Sequence, residues 1–510
     1  MAVPPGPRVT RGMQRYVLLS SIALPLATVA GTWHVAPNGD DAAAGATVAT
    51  AWATIQHAAD LALAGDTVFV HPGNYQGFAA MDHSGSSGAP IVFLGVEANI
   101  TSPCAYNGLD GINVENVNWV VIEGFTVNGM PRTGIRTALS DHVAIRHNRC
   151  HGNYKWGILC GFAEHVIIEH NVCSGSEDEH GIYFSNSADD PIIRYNHCFD
   201  NQGNGIHMNG DESMGGDGLI SNAQVYGNTI HGNGAAGGSG INCDGVVGSV
   251  FFNNLLYDNH ASGISLYRID GGGPSRNNRV YNNTIVNASE ARWCVNISAD
   301  CTGNQVLNNI LINQHPWRGS IVIAASALPG FVSDHNLVTG RLSPDGDETI
   351  LDLAGWQALG YDANSAVVDA QSALFVSPGT DFHPVDAAAQ MVDAGTSAVN
   401  DVVTDDLDGM PRPLGSGFDI GCYEGGLATA LHADRTGAGI LLRAEGRVLV
   451  LDAPAGARTI VLDPSGRLVL TASSSGAWQR LPVPLSGPAL VCVYDGSGER
   501  LAVARLLFLE

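Results

Sequence analysis

Between residues 145 and 184 the chain reads IRHNRC (145–150), GILC (157–160), IEHNVC (168–173) and GIYF (181–184). The same two phrases return as IRYNHC (193–198) with GIHM (205–208), VYGNTI (225–230) with GINC (240–243), and FNNLL (252–256) with GISL (263–266). The asparagines of the first phrase fall at Asn148, Asn171, Asn196, Asn228, Asn254, Asn283, Asn309 and Asn336, at spacings of 23, 25, 32, 26, 29, 26 and 27. Self-similarity at such a period marks a solenoid. Each unit has room for three short strands and three turns, and helical periodicity is absent.

One unit cannot bury its own apolar residues. Coiling pairs each strand in parallel with its copy one turn away, ~4.8 Å distant. Ile135, Ile158, Ile182, Ile206, Ile241 and Ile264 then stack inside, and the residues between them alternate outward. Stacked turn asparagines satisfy amide groups that would be costly to bury alone, so this ladder reads as structural. Cys150, Cys173 and Cys198 share one position, two after the ladder Asn, and with Cys160 and Cys243 they read as buried thiols. Cys294 and Cys301, close in sequence across a short loop, are the expected disulfide.

This pattern, Asn ladder included, resembles the pectate-lyase-like family over roughly residues 65–340. The resemblance implies an all-β fold, a right-handed parallel β-helix with three strands per coil. It also implies that the Gly-Ile strand is the first of each coil and that its outer face holds substrate. Unrelated functions share such scaffolds. The catalytic motifs of known pectate lyases and polygalacturonases are not evident, so no catalytic residue is carried over from them.

Composition agrees with a turn-rich β protein: 510 residues, 63 glycines, 14% charged and 45% hydrophobic. A formal net charge of −25 argues against nucleic acid, which needs a basic face. Arg8, Arg11 and Arg15, the apolar run Tyr16 to Ala27, and small residues Thr28-Val29-Ala30 read as a signal peptide over 1–30. The expected location is secreted or cell-surface, with no transmembrane segment in the mature chain. Residues 31–340 form the β-helix with its N-terminal cap, where Ile55–Leu63 is an amphipathic helix covering the first open coil. Residues 341–426 lose the repeat and resemble the closing segment of exported β-helix proteins; Asp405, Asp406 and Asp408 there read as a solvated acidic turn. Residues 427–510 are alternating strands with Gly/Ser turns, a small β-sandwich. From Asp463-Pro-Ser-Gly-Arg to the last strand this part resembles a type IX secretion sorting domain, which implies the secretion machinery as a partner.

Two outward columns follow from the alternation of the Gly-Ile strands. One reads Arg136, Leu159, Tyr183, His207, Asn242, Ser265; the other reads Ala138, Gly161, Ser185, Asn209, Asp244, Tyr267. The flanking loops grow at the same level, with Lys155-Trp156, then Glu177-Asp178-Glu179-His180, then the insertion 210–218. Loops on a rigid scaffold are where binding is usually built. A polysaccharide is the expected partner. Trp156, Tyr183 and Tyr267 would stack on sugar rings, and Asn209, Asn242 and Arg268 would bind their polar groups. For β-elimination on a uronate polymer, Ca²⁺ on Asp178, Glu179, Asp211 and Asp244 would neutralise the carboxylate. His207 or Lys155 would be the base, with Tyr183 or His180 protonating the leaving oxygen. Hydrolysis would use Asp211 and Asp244 as a facing pair, and epimerisation fits the same scaffold. The rival reading is a non-catalytic surface protein binding glycan or another cell.

Overall fold

A computed structural model describes residues 30–425 except 386, 387 and 389, and the strands of residues 441–508 without most of their connecting turns. The expected signal peptide lies outside the described residues, as does the Asp463–Arg467 turn of the sorting-domain resemblance. The fold is a right-handed parallel β-helix followed by a small antiparallel C-terminal domain. The chain divides into two compact units: residues 1–224 with 233–246 and 269–273, and residues 225–232 with 247–268 and 274–510.

In the first unit, the strands Thr133–Ala138, Trp156–Gly161, Ile182–Ser185, Ile206–Asn209 and Ser239–Asp244 pair in parallel. Their register sets Ile135, Ile158, Ile182, Ile206 and Ile241 opposite one another, and none is exposed. The second and third strands of each coil bracket the ladder asparagine, as in Ile167–Glu169, Asn171, Val172–Ser174. Asn148 Nδ2 donates to Asn171 Oδ1 at 3.1 Å, and Asn171 Nδ2 to Asn196 Oδ1 at 3.0 Å. Each amide also donates to the carbonyl of Ile122, Ile145 or Ile168, so no buried donor is stranded at these rungs. A second rung joins Asn201 to Asn233 at 2.8 Å. The residues before the ladder, His147, His170 and Tyr195, have φ of 55°, 56° and 54°, a left-handed corner, and their rings stack on one another. Cys150, Cys173 and Cys198 are opposed in register and fully buried as free thiols. The cap helix spans Ile55–Leu61, two residues shorter than the sequence suggests, with Thr54 as its N-cap and Ile55, Ala58 and Ala59 buried. It ends there because the following turn is gathered by Asp66, whose carboxylate accepts from the Leu63 and Gly31 amides and the Trp33 indole.

In the second unit the ladder runs Asn228, Asn254, Asn283, Asn309, Asn336 with Nδ2 to Oδ1 distances of 2.9–3.1 Å. Here the outward positions are apolar, and residues 374–423 fold back to cover them. Leu374, Phe375, Phe382, Met391, Ile420 and Tyr423 pack on Leu255, Val286, Ile310, Ile312 and Leu337. Val399, Val403 and Phe418 pack on Val250, Phe252, Tyr281 and Leu307. The acidic turn is not solvated as expected: Asp406 is 2% exposed and accepts from the amides of Asp408, Met410 and Glu424. The expected Cys294–Cys301 bridge is absent: the extended strand Val295–Ile297 lies between the two residues, and both are buried as thiols. In the C-terminal domain a three-stranded and a four-stranded antiparallel sheet enclose Leu449, Leu451, Val461, Val491 and Val493.

Candidate functional site

The first column is realised as an outward row as far as Asn242; its expected last member, Ser265, is buried in the second unit. Arg136, Leu159, Tyr183, His207 and Asn242 are neighbours in register, and all are part-exposed while the isoleucines before them are buried. The second column is covered instead. Ser185, Asn209 and Asp244 are 3%, 5% and 1% exposed. Each ends its strand and is engaged by the protein: Ser185 donates to the Cys160 carbonyl, Asn209 to Tyr183 Oη, and Asp244 is held by the loop 269–273. The Asp244 carboxylate accepts from the backbone amides of Ile269, Asp270 and Gly271 at 2.8–3.1 Å. Three amides on one carboxylate hold the loop 269–271 in place. The expected facing pair Asp211 and Asp244 is therefore not formed, since Asp211 caps the short helical turn Glu212–Met214 through Ser213.

Glu179 organises the near side. It accepts from Lys155 Nζ at 2.5 Å and from the Trp156 indole at 2.8 Å, and Asp178 lies 3.7 Å from the same ammonium. The hydrogen bond to Glu179 raises the Lys155 pKa, so this amine is held as a cation and is no base at neutral pH. Trp156 and Tyr183 stack face to face at 5.3 Å and 23°, and Lys155 Nζ lies 5.2 Å from the indole centroid. Tyr183 is in turn 5.2 Å from His207 and 5.4 Å from His180. Trp156 and Tyr183, each expected to stack on a sugar ring, thus stack on each other.

Tyr183 Oη accepts from Asn209 Nδ2 at 3.1 Å, and burial, with Glu179, Asp211 and Asp270 nearby, raises the phenol pKa. It stays protonated and can donate. His180 Nε2 and His207 Nδ1 are 2.9 Å apart. Burial pushes the His180 pKa down to about 3, with Lys155 adding to it, and burial together with His180 pushes His207 well below its usual value. Both rings are neutral at pH 7. Asn242 accepts from Ser239 Oγ at 3.1 Å.

Tyr267 and Arg268 belong to the second unit, where Tyr267 ends strand Ser262–Tyr267 half-buried and Arg268 is exposed. The expected Ca²⁺ set is likewise not gathered. Among the described residues no three His, Cys, Asp or Glu side chains converge on a position that could hold a metal ion. Two polar arrangements, one in each unit, were missed in the sequence. Asn204, whose backbone amide reaches His180, is a loop residue with no motif of its own. In the second unit, His383 lies between Asp381 Oδ1 at 2.6 Å and Asp408 Oδ2 at 2.8 Å, stacked on Tyr423 at 4.0 Å.

The coils match a known family model. Residues 96–318 fit the one described as periplasmic copper-binding protein (NosD), less than half of this chain. Copper would need clustered His, Cys or Met donors. The described residues do not fit it: they converge on no metal position, and the stacked cysteines face the closed interior. No curated protein matches the chain. Among solved structures, the chain is similar to the pectate lyase Pel9A, at 15% identity and a TM-score of 0.54, covering 78% of this chain and 97% of that one. It is also similar to XylC in complex with xylose, at 12% identity and a TM-score of 0.51, covering 78% and 99%. At such identities the likeness is one of fold. No helix among the described residues is long and apolar enough to cross a membrane.

Proposed function

We propose that this is an exported polysaccharide-handling β-helix whose outer row Tyr183, His207, Asn242 binds a glycan lying along the helix axis. The observation that carries the reading is the register itself. One polar edge per coil (a phenol, an imidazole and an amide) stands in line on a part-exposed face. The coil repeat of ~4.8 Å is close to the length of one sugar residue in an extended chain. Successive coils can thus address successive sugars.

Charge narrows the ligand. The loops beside the row carry Asp178, Glu179, Asp211, Glu212, Asp217 and Asp270 against the single lysine, Lys155, and both imidazoles are neutral. A chain with a carboxylate on every sugar would be repelled, and the net charge of −25 adds to that. An uncharged, hydroxyl-rich glycan fits better than a polyuronide. Uronate β-elimination also needs a base, and Lys155, one of the two expected, is held as a cation by Glu179.

Affinity electrophoresis through gels containing xylan, hydroxyethylcellulose or polygalacturonate tests this. The expected result is retardation by xylan, none by polygalacturonate, and loss of retardation in Tyr183→Ala with an unchanged thermal midpoint. A wild-type chain that no polysaccharide retards would sink the reading.

A further inference from the structure

In the second unit, the turn that leads into the first strand of each coil gathers positive charge. Backbone pairing sets Cys294 on Gly319 and Ser320 on Arg341, so Arg292, Arg318 and Arg341 enter this turn from three successive coils. The middle turn, between strands Ile310–Asn313 and Ile321–Ile323, is braced by side chains. Asn313 Oδ1 accepts from the His315 amide at 2.9 Å, and His315 Nδ1 accepts from the amides of Trp317 and Arg318 at 3.2 and 3.1 Å. Arg341 donates to the carbonyls of His315 at 2.7 Å and Arg318 at 3.0 Å.

This braced turn holds its largest apolar side chain out: Trp317 is 46% exposed. Arg318 Cζ lies 4.4 Å from the indole centroid, and the His315 ring meets the indole edge-on at 5.0 Å. A cation–π contact engages the face of a guanidinium and leaves its N–H donors, which lie in its plane. Among the described residues no carboxylate pairs with Arg318 or with the exposed Arg292. Burial lowers the His315 pKa, and Arg318 and Arg341 lower it further against the opposing Asp347. The local field is thus positive in a chain of net charge −25.

We infer that Trp317 and Arg318 form a second saccharide site, for a sugar that carries a single carboxylate. The sugar ring packs on the indole, and the acid takes two parallel N–H bonds from Arg318, with Arg292 adding charge from the coil before. The site lies within the second unit and does not rest on the row at Tyr183. A polymer with an acid on every sugar is still repelled by the whole chain. An isolated uronate on an otherwise neutral glycan brings one charge to the one turn that attracts it.

Saturation-transfer difference NMR of the full chain tests this with methyl β-D-glucuronide, against methyl β-D-glucoside as its neutral match. The glucuronide should receive saturation and the glucoside should not. Trp317→Ala should abolish the signal, and Arg318→Gln should weaken the titrated affinity about tenfold, both at the wild-type thermal midpoint. Tyr183→Ala should bind the glucuronide as the wild type does. Equal saturation of the two sugars, full affinity in Arg318→Gln, or loss of the signal in Tyr183→Ala overturns the inference. Xylan retardation judges the row separately, so either site can fail without the other.

Discussion

One cluster from each unit shows two ways of shielding titratable side chains from water. In the first unit His180 and His207 are half-buried and the stacked cysteines fully buried, all uncharged: their neighbours are N–H donors, aromatic rings and other thiols. In the second, charge itself is buried. Arg412 and Glu424 form an ion pair at 2.6 Å with both side chains 0% exposed, and the guanidinium also donates to the carbonyls of Asp405, Asp419 and Gly421. His383, between two carboxylates, has its pKa pushed up to about 9, while His180 falls to about 3. Burial lowers the pKa of both rings; the partners decide the outcome.

Substitutions probe this contrast most strongly. Arg412→Ala should cost about 3–5 kcal/mol, because Glu424 is left charged and unpaired. His180→Phe removes the partner of two neutral groups, the Asn204 amide and His207 Nδ1, and should cost about 1–3 kcal/mol. Urea denaturation of the two variants ranks them, and a reversed order would break the comparison.

Acid comes next. His180 has a folded pKa of about 3 against the ordinary imidazole value of 6.5, so its contribution is whole above pH 6.5 and declines as the unfolded chain takes up the proton. At pH 5 the loss should be about 2 kcal/mol, at 1.36 kcal/mol per pH unit. Hydrogen exchange, corrected for intrinsic rates, should show it in strands Ile182–Ser185 and Ile206–Asn209. The same acidification leaves His383 charged, and if strand Asp381–Pro384 lost protection through His383 the contrast would fail.

Alkali gives the smallest effect and the opposite sign. The folded pKa of His383 is raised from 6.5 to about 9, so its contribution is whole below pH 6.5 and is lost as pH rises through 9. Its ring is 44% exposed, and solvent screening should hold the loss under about 1 kcal/mol. Exchange in Asp381–Pro384 should rise between pH 7 and 9.5 in the wild type and stay flat in His383→Gln.

How legible was all this beforehand? The coil register was, residue by residue, because a period-two strand that stacks on its own copy leaves an isoleucine only one face to choose. The ladder asparagines and the thiols at Cys150, Cys173 and Cys198 followed from the same constraint. The outward row Tyr183, His207, Asn242 came with it. The covered second column did not, because Asp244 is outward by alternation and its carboxylate is taken up only once the loop 269–273 comes back onto it. Nor did the fold-back of residues 374–423, although the outward apolar residues Leu255, Val286 and Ile310 were a signal for it.

What the sequence determined by itself is the solenoid, since a repeat dictates its own neighbours one coil away. What only the tertiary structure decided is the state of the groups on its surface. Whether Lys155 is charged, which donor meets His180 Nδ1, and whether Asp244 faces a ligand or a loop all depend on partners 24 to 27 residues away, in loops that do not repeat.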